Sequence, residues 1–229
     1  MINVYLNDYE RWNVLKKLWQ KYNAIVIVAF SLVLLSCSAF KYWQWHKQTR
    51  LQQASNNYER MMLAAANHQT KQVNKLAKEL VAQFPNSIYA DAARLSLAKS
   101  AVAAKNYAEA EAQLKQVAEE SSTYELAVVA KIRLSRLWLS HQRYKEALGI
   151  LNGLKNDAYL PLVDELRGDI YTGMNKFDKA VEFYRKALSE VQNYGVGNLF
   201  LEMKSHDILA LSNQKAQDLA TDMSKKNDV

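Results

Sequence analysis

The sequence predicts an all-α protein with a single N-terminal transmembrane helix, an α-solenoid of paired helices and a C-terminal capping helix. Three observations favour this fold class. The 229-residue chain contains only six glycines and two prolines, so it lacks the usual turn residues of a β-rich fold. Residues 24–40 carry no charge. Beyond residue 50, Ala, Leu, Lys, Gln and Glu predominate, and these residues lose little side-chain freedom in a helix.

The segment 24–40, AIVIVAFSLVLLSCSAF, is predicted to be the transmembrane helix. At about 1.5 Å per residue it would span roughly 25 Å as a helix, close to the ~30 Å hydrocarbon core of a bilayer. Aromatic residues flank the segment on both sides, and such rings favour the headgroup layers. The expected membrane-interface anchors are Trp19, Tyr22, Tyr42, Trp43 and Trp45.

Two other interpretations of this segment compete with a retained span. A cleaved export signal would have a shorter apolar core and a small-residue exit, and SCSAF is a poor version of that exit. The stretch Leu34–Cys37, LLSC, resembles a lipobox, so a lipidated repeat protein of envelope assembly, anchored through Cys37, is the alternative to a transmembrane protein. Cys37 is the only cysteine, and it therefore has no intrachain disulfide partner.

The charges next to the segment do not choose its orientation. Four basic residues lie on each side, and the positive-inside comparison is therefore a tie. They are Arg11, Lys16, Lys17 and Lys21 before the segment, and Lys41, Lys47, Arg50 and Arg60 after it. The net charge of +7 is otherwise spread along the chain with acidic residues interleaved, unlike the clustered basic face of a nucleic-acid-binding protein.

Three later segments, residues 92–117, 129–154 and 162–188, share one pattern. In each, an aromatic residue precedes an alanine by three positions. The pairs are Tyr107 and Ala110, Tyr144 and Ala147, and Phe177 and Ala180. The alanines lie 37 and then 33 residues apart, close to the tetratricopeptide period of about 34. The pattern predicts a tetratricopeptide-like α-solenoid, in which each repeat is a pair of antiparallel helices.

Small residues are expected where the two helices of a pair come closest. Ala98, Ser135 and Gly168 hold this position in the first helices, and the three alanines named above hold it in the second helices. Because one pair cannot bury its apolar stripe alone, neighbouring pairs are expected to stack and share a core.

A degenerate earlier unit is expected from residue 51 to Pro85. Pro85 lies 12 residues after Val73, which is the tetratricopeptide spacing between the small residue of the second helix and the closing proline. Neither Gly nor Pro occurs from Lys41 to Ala66, so the first helix of this unit is expected to continue from the apolar segment. Its core is expected to contain Tyr58, Met61, Met62, Leu76, Ala77 and Leu80.

These patterns predict a domain organisation in four parts. An N-terminal segment, 1–23, precedes the span at 24–40, and a repeat domain follows at 41–212. A polar and disordered tail is expected at 213–229. Within the repeat domain we expect repeats at about 51–85, 90–122, 127–160 and 162–193, and a cap at 198–212.

The sequence shows no catalytic constellation. The four histidines are isolated and none has a second ligand three or four residues away, so no metal site is expected. No cofactor is expected either, and the chain is predicted not to be an enzyme. The expected binding surface is the concave face of the solenoid, formed by the first helices.

The candidate protein-binding residues on that face are Ser96, Lys99, Arg133, Arg136 and Asp169. Its basic residues could receive a carboxylate-bearing peptide, although ordinary solvated surface explains them equally well. The Asn that two-carboxylate-clamp repeats carry on this face is absent, because Lys99, Arg136 and Asp169 stand there instead.

The anchor, repeats and closing helix together resemble the YfgM family, ancillary subunits of the bacterial SecYEG translocon. Three stretches carry the resemblance: VLKKLWQKYNAIVIVAFSLVLLSCSAFKYWQWHK at 14–47, DELRGDIYTGMNKFDKAVEFYRKAL at 164–188, and LEMKSHDILAL at 201–211. The resemblance implies a bacterial inner-membrane protein with a cytoplasmic N-terminus and a periplasmic repeat domain. It further implies association with SecYEG and a PpiD-like membrane chaperone, action on newly translocated polypeptides, and no enzymatic activity.

Overall fold

A computed structural model of the chain describes residues 8–154, 157–193 and 198–227, with some side chains in α1 and near the C-terminus outside the described part. Within these ranges the regular structure consists of nine α-helices and one 3₁₀ turn, Asp157–Tyr159, and the all-α prediction is confirmed. The helices are α1 (Asp8–Ala66), α2 (Thr70–Gln83), α3 (Ile88–Ala103), α4 (Tyr107–Glu120), α5 (Tyr124–Ser140), α6 (Tyr144–Leu151), α7 (Leu160–Gly173), α8 (Phe177–Asn193) and α9 (Leu199–Asn227).

The chain divides into two compact units, Met1–Ser55 and Asn56–Val229. The described part of the first unit belongs to α1. Among the described residues, no helix combines the length and the apolar character needed to cross a membrane, so the transmembrane helix predicted at 24–40 is not confirmed. The side chains of 20–26 and 29, which include the predicted anchor Tyr22, lie outside the described part.

In the second unit, each first helix of a pair ends in the same turn. One residue of each turn has a positive φ, between 56° and 59°, and the N–H of the next residue bonds to the carbonyl five positions back. Asn106 N donates to Ala101 O over 2.8 Å, for example, and Gln69 N donates to Ala64 O over 2.9 Å. This is the Schellman motif of helix C-termini. The positive-φ residues are His68, Lys105, Gln142 and Asn175.

Three hydrophobic clusters follow one another along the second unit. The first joins the end of α1 to α2 and α3 through Met61, Leu80 and Leu97. The second runs from α3 to α7, and the third joins α8 to α9. Because α3 contributes to two clusters, the helix pairs share their cores, as stacking requires. Met62 is 48 % exposed, so its prediction as a core residue is wrong; its neighbour Met61 takes the inward position.

The first helices α3 and α7 are each fixed to the end of the preceding pair by an arginine. Arg94 donates from Nη1 to Pro85 O over 3.0 Å and pairs with Asp91 at 2.9 Å. Arg167 donates from Nη2 to Leu151 O over 3.0 Å and pairs with Asp164, which is fully buried. These bonds satisfy carbonyls at or near helix C-termini, which have no partner within their own helix.

The closest approach within a pair occurs at Gly168 of α7. A Cβ on this glycine would lie 2.5 Å from Cε1 of Tyr184 in α8, and Tyr184 is only 2 % exposed. Leu114 and Leu151 stand seven residues after the aromatic residue of their repeats, as Tyr184 does in its own. In the two repeats with the smaller leucine in the second helix, the first helix has the larger Ala98 or Ser135 in place of glycine. A larger side chain in one helix thus accompanies a smaller one in the other.

Helix α9 packs on α8 through Leu201 and Ile208, which are 1 % and 8 % exposed. The Asn198 side chain accepts a bond from Leu201 N over 3.1 Å at the start of the helix. The helix then extends to Asn227, through a segment predicted from its polarity to be disordered. The segment is helical in the structure and not disordered as predicted. Residues 213–227 contain neither Gly nor Pro, so they can continue a helix without steric conflict.

Lys204 of α9 fastens this helix to two acidic residues of α7. Its Nζ lies 2.8 Å from Oε1 of Glu165 and 2.8 Å from Oδ1 of Asp169. The Tyr184 hydroxyl donates to the same Asp169 oxygen over 2.8 Å. Burial alone would lower the pKa of Lys204, but its bonds to Asp169 and Glu165 outweigh burial and raise that pKa. Burial raises the pKa of the Tyr184 phenol.

Gly168→Ala is expected to lower the free energy of unfolding by about 1–3 kcal/mol, since the added methyl group overpacks a contact with a buried ring. Gly149→Ala in α6 is the matched control. Nothing lies within 4 Å of a Cβ at Gly149, so alanine should stabilise its helix by about 0.5–1 kcal/mol. Thermal unfolding followed by circular dichroism measures both. Equal effects of the two substitutions would contradict the packing described for Gly168.

Gln142→Gly is expected to stabilise the protein by about 0.5–1 kcal/mol, because glycine adopts the left-handed conformation at this turn without a steric penalty. Gln142→Ala keeps the Cβ and serves as the control, for which no gain is expected. Chemical denaturation of the full chain compares them. If alanine stabilised the protein as much as glycine, the backbone conformation at Gln142 would not be the cause.

Lys204→Met is expected to cost about 1–3 kcal/mol at pH 8, since it leaves two carboxylates without their cation. Because the folded-state pKa of Lys204 is raised above its usual 10.5, the contribution of Lys204 is complete below that pH and is lost as the pH rises through the folded-state value. The difference in melting temperature between wild type and Lys204→Met should therefore shrink above about pH 10.5. A difference that stayed constant up to pH 12 would argue against the ion pairs.

Candidate functional site

A groove of about 570 Å³ lies between the first helices α3 and α5 and reaches down to α4. We call it the α3–α5 groove. Helix α3 places Lys99 and Val102 on one wall, and α5 places Arg133 and Arg136 on the other. The lining residues are Leu95, Ala98, Lys99, Val102, Tyr107, Leu114, Arg133, Arg136, Leu137 and Ser140.

The floor of the α3–α5 groove is apolar and its rim is cationic. Leu95, Leu114 and Leu137 are at most 8 % exposed and belong to the core that joins α3 to α7. Val102 and Tyr107 are 42 % and 39 % exposed and offer apolar surface to a ligand. Among the lining residues the only charged side chains are Lys99, Arg133 and Arg136, and all three are exposed.

These three cations form no ion pair with the described carboxylates, whereas other basic residues of the repeats do. Arg143, for example, lies 2.7 Å from Glu111 and 3.0 Å from Glu146. Arg143 thus satisfies its guanidinium within the protein. The groove cations are exposed, so their donors are accessible to solvent or to a partner. A guanidinium with free donors binds carboxylates in bidentate geometry.

The structure brings together three of the five candidate binding residues predicted from the sequence. Lys99, Arg133 and Arg136 line the same groove. Ser96 is half-buried on α3 and does not line it. Asp169 lies on α7, where Lys204 and Tyr184 occupy its carboxylate, so it belongs to the attachment of α9.

The apolar floor was missed by the sequence reasoning, which considered only outward polar positions. Helical spacing contains the missing signal. Val102 follows Lys99 by three residues on α3, and Ser140 follows Arg136 by four residues on α5, so each pair lies on one helix face. Tyr107 was used only as a marker of the repeat. Its ring, at the start of α4, contacts the ring of His141 at the C-terminal end of α5 edge to face, with centroids 4.4 Å apart.

The described residues contain no group of three His, Cys, Asp or Glu side chains that could hold a metal ion. In the α3–α5 groove, Ser140 Oγ donates to Leu137 O over 2.8 Å and lies 3.1 Å from Nδ1 of His141, which is itself 2.8 Å from the same carbonyl. The local hydrogen bonds therefore cap the end of α5. The chemistry that the groove supports is binding by charge and apolar contact.

The predicted membrane-interface anchors with described side chains are exposed on α1. Trp19 is 58 % exposed, and Tyr42, Trp43 and Trp45 are between 59 % and 67 % exposed. Their neighbours are mainly one another: the rings of Tyr42 and Trp45 lie 6.3 Å apart, and Lys47 Nζ lies 5.5 Å from the Trp43 ring centroid. Cys37 is also exposed on this helix.

Curated relatives align with most of the chain and are named ancillary SecYEG translocon subunits. The relative from Haemophilus influenzae is 28 % identical over 166 residues, which cover 72 % of this chain and 80 % of the relative. The Neisseria gonorrhoeae relative is 25 % identical over 201 residues, with 87 % and 96 % covered. The Escherichia coli relative is 24 % identical over 178 residues, with 78 % and 84 % covered. The resemblance to the YfgM family is thereby confirmed.

Solved structures support the fold at low sequence identity. MamA from Desulfovibrio magneticus RS-1 superimposes with a TM-score of 0.50 and 16 % identity, over 75 % of this chain and 96 % of MamA. A MamA RS-1 double mutant gives a TM-score of 0.51 and 14 % identity, over 71 % and 96 %. The model of the tetratricopeptide repeat-like domain matches residues 16–210. With its four repeated turns, its shared cores and this match, the chain belongs to the tetratricopeptide repeat-like domain family.

Proposed function

We propose that this protein is a membrane-anchored helical-repeat adaptor that serves as an ancillary subunit of the SecYEG translocon. The observation that carries the proposal is the alignment with relatives of that name over 72 % to 87 % of the chain. A repeat fold with a binding groove and without a visible reaction centre in its described part suits an adaptor, since function must come from a site and not from the fold. The adaptor has no enzymatic activity of its own.

The anchor in this proposal is the transmembrane helix at 24–40, within α1. Apolar side chains from Ile27 to Phe40 are 52 % to 66 % exposed, and their positions surround the helix, as in a span that faces lipid. The hydroxyls of Ser31 and Ser36 each donate over 2.8 Å to a carbonyl one turn earlier. Internal bonds of this kind support the proposal, because lipid offers no other partner.

The proposed topology places the N-terminus in the cytoplasm and the repeat domain in the periplasm, with the single span in the bacterial inner membrane. There the repeat domain meets polypeptides as they leave the channel and passes them on with a PpiD-like membrane chaperone. Tethering raises the effective concentration of the groove near the channel, so each individual contact can be weak. The exposed cations of the α3–α5 groove give such contacts a surface.

The topology is tested by labelling single cysteines in the Cys37→Ser chain with a membrane-impermeant maleimide in intact cells. Lys71→Cys on α2 should be labelled from the periplasm, and its matched control Asn13→Cys on α1 should be labelled only after lysis; both residues are exposed. A photoreactive residue at Leu35 should then form an adduct with a SecYEG subunit, and one at Arg185 should not. Labelling of Asn13→Cys alone, or no SecYEG adduct, would contradict the proposal.

A further inference from the structure

We propose that the α3–α5 groove binds an acidic, apolar polypeptide segment of a partner protein and discriminates against basic segments. The inference rests on the proposed adaptor function and adds the chemistry of the segment that the adaptor recognises. It is argued from the distribution of charge on the first helices, from the apolar floor, and from the place of α9.

The charged side chains that line the groove all have the same sign. The groove is lined by Lys99, Arg133 and Arg136 and by no carboxylate. Three cations on facing helices, without ion-pair partners among the described residues, repel one another and attract an anionic ligand. A basic segment would meet only like charge there, which is the usual basis for rejecting a wrong partner.

Two acidic residues of α7 are already occupied by a cation of α9. Glu165 and Asp169 lie on α7, a first helix like α3 and α5, and both bind Lys204 of α9 at 2.8 Å. These carboxylates are therefore unavailable to a basic segment. The α3–α5 groove, by contrast, has only cations among the charged side chains that line it.

The floor of the groove is apolar and partly exposed. Val102 and Tyr107 remain 42 % and 39 % exposed beside buried Leu95 and Leu137. A volume of about 570 Å³ falls within the range of roughly 300–1,000 Å³ typical of ligand clefts. A ligand with charge alone would leave this surface wet, whereas a segment that alternates acidic and apolar side chains satisfies both the rim and the floor.

The test measures fluorescence anisotropy of two labelled twelve-residue peptides added to the full chain in phosphatidylcholine nanodiscs. The peptides share their leucines, and one carries Glu where the other carries Lys. The Glu peptide should bind, more weakly as salt is added, and the Lys peptide should not. Arg133→Gln combined with Arg136→Gln should raise the Kd of the Glu peptide about tenfold, since each exposed charge pair contributes up to about a factor of five.

Two further variants separate the groove from general charge. Arg185→Gln removes one exposed cation of α8 outside the groove and should leave the Kd unchanged. Val102→Glu adds a negative charge at the exposed edge of the floor and should weaken binding of the Glu peptide at least as much as the double variant. Circular dichroism of each variant checks that the helices remain folded.

Several outcomes would overturn the inference. Equal binding of the two peptides, or no binding of the Glu peptide, would contradict it. So would a loss of Glu-peptide affinity in Arg185→Gln as large as in the double variant. Displacement of the Glu peptide by soluble short-chain phosphatidylglycerol would assign the groove to lipid headgroups. The peptide-binding assay requires neither SecYEG nor the proposed membrane topology. If the SecYEG adduct forms at Leu35 and the Glu peptide does not bind, the proposed partner chemistry is wrong and the adaptor function stands. If the Glu peptide binds and no SecYEG adduct forms, the partner chemistry stands and the adaptor function is wrong.

Discussion

The close approach of the two helices within each pair is the constraint on which the repeat domain depends. At Gly168 the backbone of α7 lies against the buried ring of Tyr184, with room for no further carbon. The corresponding first-helix positions in the other repeats hold Ala98 or Ser135, and the second helices of those repeats have a leucine at the position of Tyr184. The Ser135 hydroxyl also donates to Ala147 O over 2.9 Å and so ties α5 to α6. A pair held this closely has one well-defined geometry, because packed interiors adjust little. Stacked pairs of the same geometry bring the first helices α3 and α5 side by side, and the groove follows from that arrangement.

Charge divides the surface that these helices present. Arginines that join successive pairs are neutralised inside the fold, as Arg94 is by Asp91 and Arg167 by Asp164. The acidic residues Glu165 and Asp169 are neutralised by Lys204 of α9. The charged side chains that line the α3–α5 groove, by contrast, are all cationic and exposed. Helix α9 therefore contributes twice, because it covers apolar residues of α8 and also neutralises two carboxylates of α7.

The sequence predicted the helix pairs because their packing depends on local spacing. An aromatic residue, an alanine three positions later and a small residue in the preceding helix are enough to place the three later pairs. The turns between paired helices were less visible, since His68, Lys105 and Gln142 adopt a conformation that usually calls for glycine. Asp169 was assigned to the binding face for a related reason. Its partner Lys204 lies 35 residues away, and no local pattern links the two. The groove cations were predicted as outward positions. The apolar floor beneath them could not be predicted in the same way, because that prediction depends on which helices are neighbours in space.

The volume balance between the first and second helices is tested most directly by a double-mutant cycle at Gly168 and Tyr184. Gly168→Ala combined with Tyr184→Leu reproduces the alanine and leucine found at Ala98 and Leu114. Our account predicts that the combined variant loses less stability in chemical denaturation than the sum of the two single losses, because the smaller leucine makes room for the methyl group. Additive losses would show that the two positions do not constrain each other, and would contradict the packing on which the repeat geometry rests.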